Sequence, residues 1–161
     1  MNLIEEIAGE ICKILLPIED KLYFGNPNST LVICTLSSMK LLKEIANSSL
    51  MNKINVVGRL LSENKGIDLL VRHIISNEKI QTILLCGEDT EGHIPGHSIL
   101  CLYQNGIDKN GVISGSSSPN PILTLNNEEV YRFQKQVKII NKIGETEISN
   151  LKQKINTELT Q

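Results

Sequence analysis

The residues best equipped for chemistry are gathered in one stretch, Cys86-Gly87-Glu88-Asp89-Thr90-Glu91-Gly92-His93-Ile94-Pro95-Gly96, directly after the apolar run Ile83-Leu84-Leu85. That run reads as a short buried strand. The acids, glycines and imidazole then fall at a strand's carboxyl end, where open α/β sheets hold ligands. A histidine preceded by Gly92 and followed closely by Pro95-Gly96 is ill suited to a packed core and well suited to reaching out of a loop.

Within this stretch, Glu91-Gly92-His93-Ile94-Pro95-Gly96 has the form acid-x-His-x-x-Gly. The spacing resembles the Asp-x-His-x-x-Gly signature of proteins that bind cobalamin with a histidine on the lower face of cobalt. Cobalt(III) takes a neutral imidazole nitrogen, and the second ring nitrogen needs an acceptor that fixes the tautomer and tunes basicity. Glycine lets a backbone come close to a large flat ring. A loop histidine with no ligand role fits the same six residues.

Other groupings carry less. His97 follows His93 by four residues, a zinc spacing on a continuous helix, but Pro95 belongs in a first helical turn and leaves His93 before the helix and His97 inside it. A catalytic zinc also needs three protein ligands, and neither a third suitable histidine nor paired thiols stand nearby. His73 sits in an apolar helical pattern and reads as a surface or partly buried helix residue. Glu63, Glu88, Asp89 and Glu91 offer general acids and bases or simply solvated loop charges. No nucleophile signature, dinucleotide fingerprint or phosphate loop occurs, so no catalytic residue is expected beyond a cobalt ligand.

The elements that must position these residues alternate. Leu3, Ile4, Ile7, Ile11, Ile14 and Leu15 outline an amphipathic helix ending at Pro17. After the turn Gly25–Ser29, Leu31–Leu36 reads as a buried parallel strand, and Ser37 or Ser38 caps a helix running to about Ser48. Ile54–Val57 is a strand closed by Gly58; Ile67, Leu70, Val71, Ile74 and Ile75 mark a helix; Thr82–Cys86 is the central strand. A helix spans about Pro95–Gln104 and stops at Asn105-Gly106. Residues 111–125 form a polar loop with short extended pieces, a helix runs from Asn126 or Asn127 to Phe133, Val137–Ile140 reads as a strand or as that helix's continuation with the strand favoured, and an amphipathic helix capped near Thr146 closes the chain. The expected fold is α/β, a mostly parallel sheet with helices on both faces, forming one domain over residues 1–161.

Composition narrows the function. Sixteen basic and 18 acidic residues give a net charge of −2, and aromatics make up 3% of 161 residues, so neither a cationic surface nor stacking side chains are supplied for nucleic acid. The start Met1-Asn2-Leu3-Ile4-Glu5-Glu6 is acidic where an export signal would be basic, and no apolar run approaches the ~20 residues of a membrane span. Cys12, Cys34, Cys86 and Cys101 lie in or beside apolar stretches without a Cys-x-x-Cys pair, as reduced thiols of a cytoplasmic protein would.

Several ordered motifs resemble one family, the A subunit of the methanogenic tetrahydromethanopterin S-methyltransferase, over about residues 22–145. They are Gly25-Asn26-Pro27 with Leu31–Leu36, Glu63-Asn64-Lys65-Gly66-Ile67, Leu85-Cys86-Gly87 with Gly92-His93-Ile94-x-Gly96-x-Ser98-Ile99, Asn105-Gly106-Ile107-Asp108 and Arg132-Phe133-Gln134-Lys135-Gln136-Val137. The resemblance implies a Rossmann-type fold and a cobalamin cofactor, a 5-hydroxybenzimidazolyl or related cobamide, with His93 as lower axial cobalt ligand. It implies methyl transfer from methyl-tetrahydromethanopterin through cobalt(I) and methyl-cobalt(III) to coenzyme M, with donor and acceptor sites on partner subunits. The expected cofactor-binding set is His93, Glu63, Asn64, Gly66, Gly87, Asp89, Glu91, Gly92, Gly96, Gly115, Ser116 and Ser117, with Glu63 first and Asp89 second as the carboxylate behind the imidazole. Glu91 and His97 stand where the family commonly has glutamine, and Pro119-Asn120-Pro121 departs from its Gly-Ala-Ile-Pro-Phe pattern. Family members anchored in the membrane end in a transmembrane helix that is absent before Gln161, so a soluble domain or a soluble paralogue is expected. The alternatives are a paralogue that binds or stores cobalamin for another methyl donor, and a structural component without cofactor.

Overall fold

The computed structural model describes residues 22–160. The helix expected over Leu3–Leu15, and Cys12 with it, lie outside the described residues. Five strands form one sheet: β1 (Tyr23–Phe24), β2 (Leu31–Cys34), β3 (Val56–Gly58), β4 (Thr82–Gly87) and β5 (Lys138–Ile143), in the order β1-β3-β2-β4-β5. All neighbours run parallel except the edge strand β1, which pairs antiparallel with β3. Central β2 and β4 are buried at every position because helices cover both faces.

Among the described residues the helices are α1 (Met39–Ala46), α2 (Lys65–Ile75), α3 (Pro95–Asn105), α4 (Asn127–Gln136) and α5 (Ile148–Leu159). Side-chain alternation along the strands sorts the core into two layers. Leu31, Ile33, Val57, Leu84 and Cys86 pack with Leu41, Leu42 and Ile45 of α1 and Leu151 and Ile155 of α5. Val32, Cys34, Val56, Ile83 and Leu85 pack with α2, α3 and α4 on the other face. The helix after β2 and the helix after β4 thus leave the sheet on opposite sides. Their strand ends form a switch point, where a crevice opens for ligands.

The alternation of elements follows the sequence closely, with local differences. Ser38 occupies the N-cap position of α1 but makes no capping bond; its hydroxyl accepts the Glu88 N–H at 2.9 Å and ties the two loops of the switch point together. The helix α1 ends at Ala46, and Ser48 instead starts a 3-10 turn, Ser49–Lys53, by accepting the Leu50 N–H. Glu147, without a capping bond, takes the place expected for Thr146 at the start of α5. Residues 138–143 form a strand because α4 stops at Gln136, whose side-chain amide donates to the carbonyls of Ile74, Asn77 and Ile80. At its other end α4 begins in a reciprocal capping box between Asn126 and Glu129. Within the 111–125 segment the extended pieces are single bridges, Ile107 to Ile113 and Val112 to Ile122.

Candidate functional site

Three loops meet over the carboxyl ends of the strands: 59–64 after β3, 88–94 after β4, and the 106–126 connection between α3 and α4. His93 is carried by the second. Its side chain is 58% exposed, and its Nδ1 lies 3.0 Å from Oε2 of Glu63, whose side chain is 2% exposed. The other Glu63 oxygen accepts the Asn120 N–H at 3.0 Å. Burial pushes the Glu63 carboxyl up, but hydrogen bonds from its own backbone N–H, from Asn120 and from His93 outweigh it and leave the pKa lowered. An ionised carboxylate can only accept, so Nδ1 carries a proton, and in the neutral imidazole the Nε2 lone pair is then left for another partner.

His93 stands just before a strained residue. Ile94 is left-handed at φ 39° and ψ 53°, a conformation that a β-branched residue adopts only when its surroundings impose it. The next residue, Pro95, opens α3 with its fixed φ and missing N–H. His93 consequently precedes the helix while His97 lies within it. The two rings have different surroundings. Nε2 of His97 accepts the Ser117 N–H at 3.3 Å, lies 3.2 Å from the Ser117 hydroxyl, and sits 3.5 Å from Sγ of Cys101.

Asp89 is not placed behind the imidazole. Its carboxylate accepts the N–H groups of Gly96 at 2.9 Å and His97 at 3.0 Å, capping α3 from the loop that precedes it. The expectation of Asp89 as second candidate for the partner of His93 is thereby corrected: those N–H groups have no intrahelical acceptor, and they claim the carboxylate. Glu63, the first candidate, is the residue found on the ring.

The remaining candidates divide by where they point. Glu91 and Gly92 are exposed beside His93, and a Cβ at Gly92 would meet nothing within 4 Å. Gly87, at φ 76°, is enclosed: a Cβ there would lie 2.3 Å from the Thr35 carbonyl oxygen. A Cβ at Gly96 would sit 2.9 Å from Asp89 and 3.0 Å from both Leu36 and Ile143, and one at Gly66 would sit 2.9 Å from Leu60 and Ser62. At these three positions the absent side chain serves contact within the protein, where the sequence alone suggests room for a cofactor. Asn64 caps α2 through Lys65 N–H and donates to the Asn120 carbonyl. Gly115, Ser116 and Ser117 form the rim above α3, with Gly115 at φ 86° and Ser117 on His97.

Two residues outside the expected set complete the site. Asn120 holds Glu63, and Ser118 donates its hydroxyl to the His93 carbonyl at 2.7 Å. A signal for Asn120 is present in Pro119-Asn120-Pro121: both prolines lack an N–H, so Asn120 supplies the only backbone donor of the three. Nothing in the spacing distinguishes Ser118 from its serine neighbours. A separate depression of about 770 Å³ lies at the opposite, amino-terminal end of the strands, among Thr30, Gln81, Lys138 and Glu158, and holds none of these residues. No helix among the described residues is long and apolar enough to cross a membrane.

Comparisons with known proteins converge on one group. The profile of the family described as the A subunit of tetrahydromethanopterin S-methyltransferase matches residues 15–161. The A subunit of the Mtx putative methyltransferase of Methanosarcina barkeri is 35% identical over 128 residues, 79% of this chain and 61% of that protein. The A subunit, form 1, of the tetrahydromethanopterin S-methyltransferase of Methanothermobacter thermautotrophicus is 33% identical over 133 residues, 81% of this chain and 54% of that protein. Its counterpart in Methanosphaera stadtmanae is 40% identical over 103 residues, 63% of this chain and 41% of that protein. The chain therefore spans no more than 61% of the length of these relatives.

Proposed function

The chain belongs to the family of the tetrahydromethanopterin S-methyltransferase A subunit, and from that premise we propose that it carries a corrinoid in methyl transfer, with Nε2 of His93 as the lower axial ligand of cobalt. The observation that carries the reading is the pairing of His93 Nδ1 with the buried, ionised Glu63. It holds the proton at Nδ1 and orients the ring, so that in the neutral imidazole Nε2 is the nitrogen that faces a ligand, as an outer carboxylate does for metal-bound histidines. The open space over Gly92 and the exposure of His93 suit the approach of a flat macrocycle.

When bound, the corrinoid supplies the cobalt centre that accepts and gives up the methyl group. The protein supplies the rest. Glu63 holds the proton at Nδ1, Asn120 holds Glu63, and Ile94 with Pro95 hold the ring outside the helix. Among the described residues burial raises the pKa of each thiol, Cys34, Cys86 and Cys101, and so disfavours the thiolate that would act as a nucleophile on the methyl group. In this reading other subunits bring methyl-tetrahydromethanopterin and coenzyme M.

The test is retention of a red to orange corrinoid through gel filtration after incubation with hydroxocobalamin. Wild type should leave the column coloured and His93→Ala should lose most of the colour; a colourless wild type overturns the reading. A second reading, prompted by the Mtx relative whose name specifies no methyl donor, is that the same corrinoid site serves a different donor. Methylation of the bound cofactor by methyl-tetrahydromethanopterin in the presence of the partner subunits would decide for the first.

A further inference from the structure

We propose that Ser118 is a positioning residue for His93, and that a one-way chain of hydroxyls from Ser116 through Ser98 to Ser118 fixes where the imidazole points. In a continuous helix the His97 N–H would bond to the carbonyl of His93. Here that N–H goes to Asp89, so the carbonyl is left outside the helix, and Ser118 takes it at 2.7 Å. A carbonyl cannot donate, so the single Ser118 hydroxyl proton is spent on it. The contact between Ser118 Oγ and Ser98 Oγ then requires Ser98 to donate, and Ser98, its own proton spent, accepts from Ser116 at 2.8 Å. The Ser118 N–H closes the circuit on Ser116 Oγ at 3.2 Å.

This network is sheltered: Ser98 is fully buried and Ser118 is 8% exposed. Proton counting leaves it one direction, which ends on the residue that carries the imidazole. Its site of action is also where the backbone is strained, since Ile94 follows immediately in the left-handed region. Without the hydroxyl, the His93 carbonyl would lose its donor, Ile94 would be free to relax toward an ordinary φ, and the ring would leave Glu63. Ser118 comes from a loop 25 residues away in sequence, so it acts on the ring through the backbone and never touches the nitrogen that would bind cobalt.

The ring nitrogens of His93 report this directly by 15N NMR in alkaline buffer with no corrinoid present. Wild type should show the Nδ1-protonated tautomer, with two widely separated nitrogen shifts. Ser118→Ala should draw them toward a common average, and Ser118→Thr, which keeps the hydroxyl, should restore the separation. Ser98→Ala, interrupting the chain one step earlier, should move the shifts the same way by less, and it decides the matter if Ser118→Ala does not fold. Wild-type separation in Ser118→Ala, or in Ser98→Ala when that variant decides, overturns the inference, as does failure of Ser118→Thr to restore it. A second arm rests on the corrinoid reading: aquacobinamide should bind Ser118→Ala about tenfold more weakly, the lower end of what an outer partner contributes. Absence of binding by wild type would count against the corrinoid reading, while the nitrogen shifts would still decide the role of Ser118.

Discussion

Asp89 accepts the backbone N–H of His97 at 3.0 Å, a bond that settles the helix start and the fate of both histidines. The same carboxylate takes Gly96 at 2.9 Å, so it satisfies two of the helix's orphan donors at once. Asp89→Ala is expected to cost about 1–2 kcal/mol of stability, as loss of a side-chain cap does, and Asp89→Asn less. Urea denaturation measures this; a variant as stable as wild type would show that the cap is dispensable.

Burial controls the thiols. Cys34 is enclosed in β2 and its pKa is pushed up to about 12 by desolvation; Cys86 in β4 is pushed up further by the same cause, and Cys101 is raised by burial as well. All three are free. Because the thiolate is the reactive form, Cys34 and Cys86 should resist alkylation in the native protein at neutral pH and react rapidly in denaturant. Peptide mass spectrometry after timed alkylation distinguishes the two cases, and fast native labelling at either residue would contradict their burial.

The parts of the fold legible in the sequence are those fixed by local pattern. Leu31–Cys34 and the Ile83–Cys86 stretch of β4 are unbroken apolar runs because both faces of these strands are covered, and Pro95 and Gly106 bracket a helix by backbone chemistry alone. Tyr23–Phe24 is not legible: a two-residue edge strand has no period, and its existence depends on Val56 and Val57. The site divides the same way. His93 is conspicuous by its neighbours and Glu63 by its place in a turn at the same sheet end. Asp89 misleads because its nearness to His93 in sequence says nothing about the two N–H groups that compete for it. Ser118 is invisible because its bond to His93 depends on how a loop returns over α3.

Glu63 gives the site an acid limb. Its pKa in the folded state lies below the ordinary 4.5 of a glutamate, so its contribution to stability is complete above about that pH and is lost as the pH falls through the lower folded value. Wild type should therefore lose stability on acidification below the ordinary carboxylate range, and Glu63→Gln should lose less over that window while starting from a lower plateau. Among the described residues Glu129, Glu145 and Glu158, whose pKa values are also lowered, contribute to the acid dependence that remains in the variant. Melting temperatures from about pH 3 to pH 7, bracketing the ordinary glutamate value, make the comparison. Parallel curves for the two proteins would remove Glu63 from the account.

The most discriminating prediction concerns which imidazole binds cobalt. Nδ1 of His93 is committed to Glu63 and its exposed ring leaves Nε2 available, whereas Nε2 of His97 already accepts the Ser117 N–H. A ligand needs an uncommitted lone pair, so His93 should coordinate and His97 should not. Cob(II)inamide has no nucleotide base of its own, and nitrogen coupling in its electron paramagnetic resonance spectrum on binding must then come from the protein. That coupling should be present in wild type, absent in His93→Ala and retained in His97→Ala. In Glu63→Gln it should persist while affinity falls ~10–100-fold, the range for removal of an outer-shell partner. Coupling that survives in His93→Ala and disappears in His97→Ala would move the ligand to α3, and would mean that the Ser117 contact opens when the corrinoid binds.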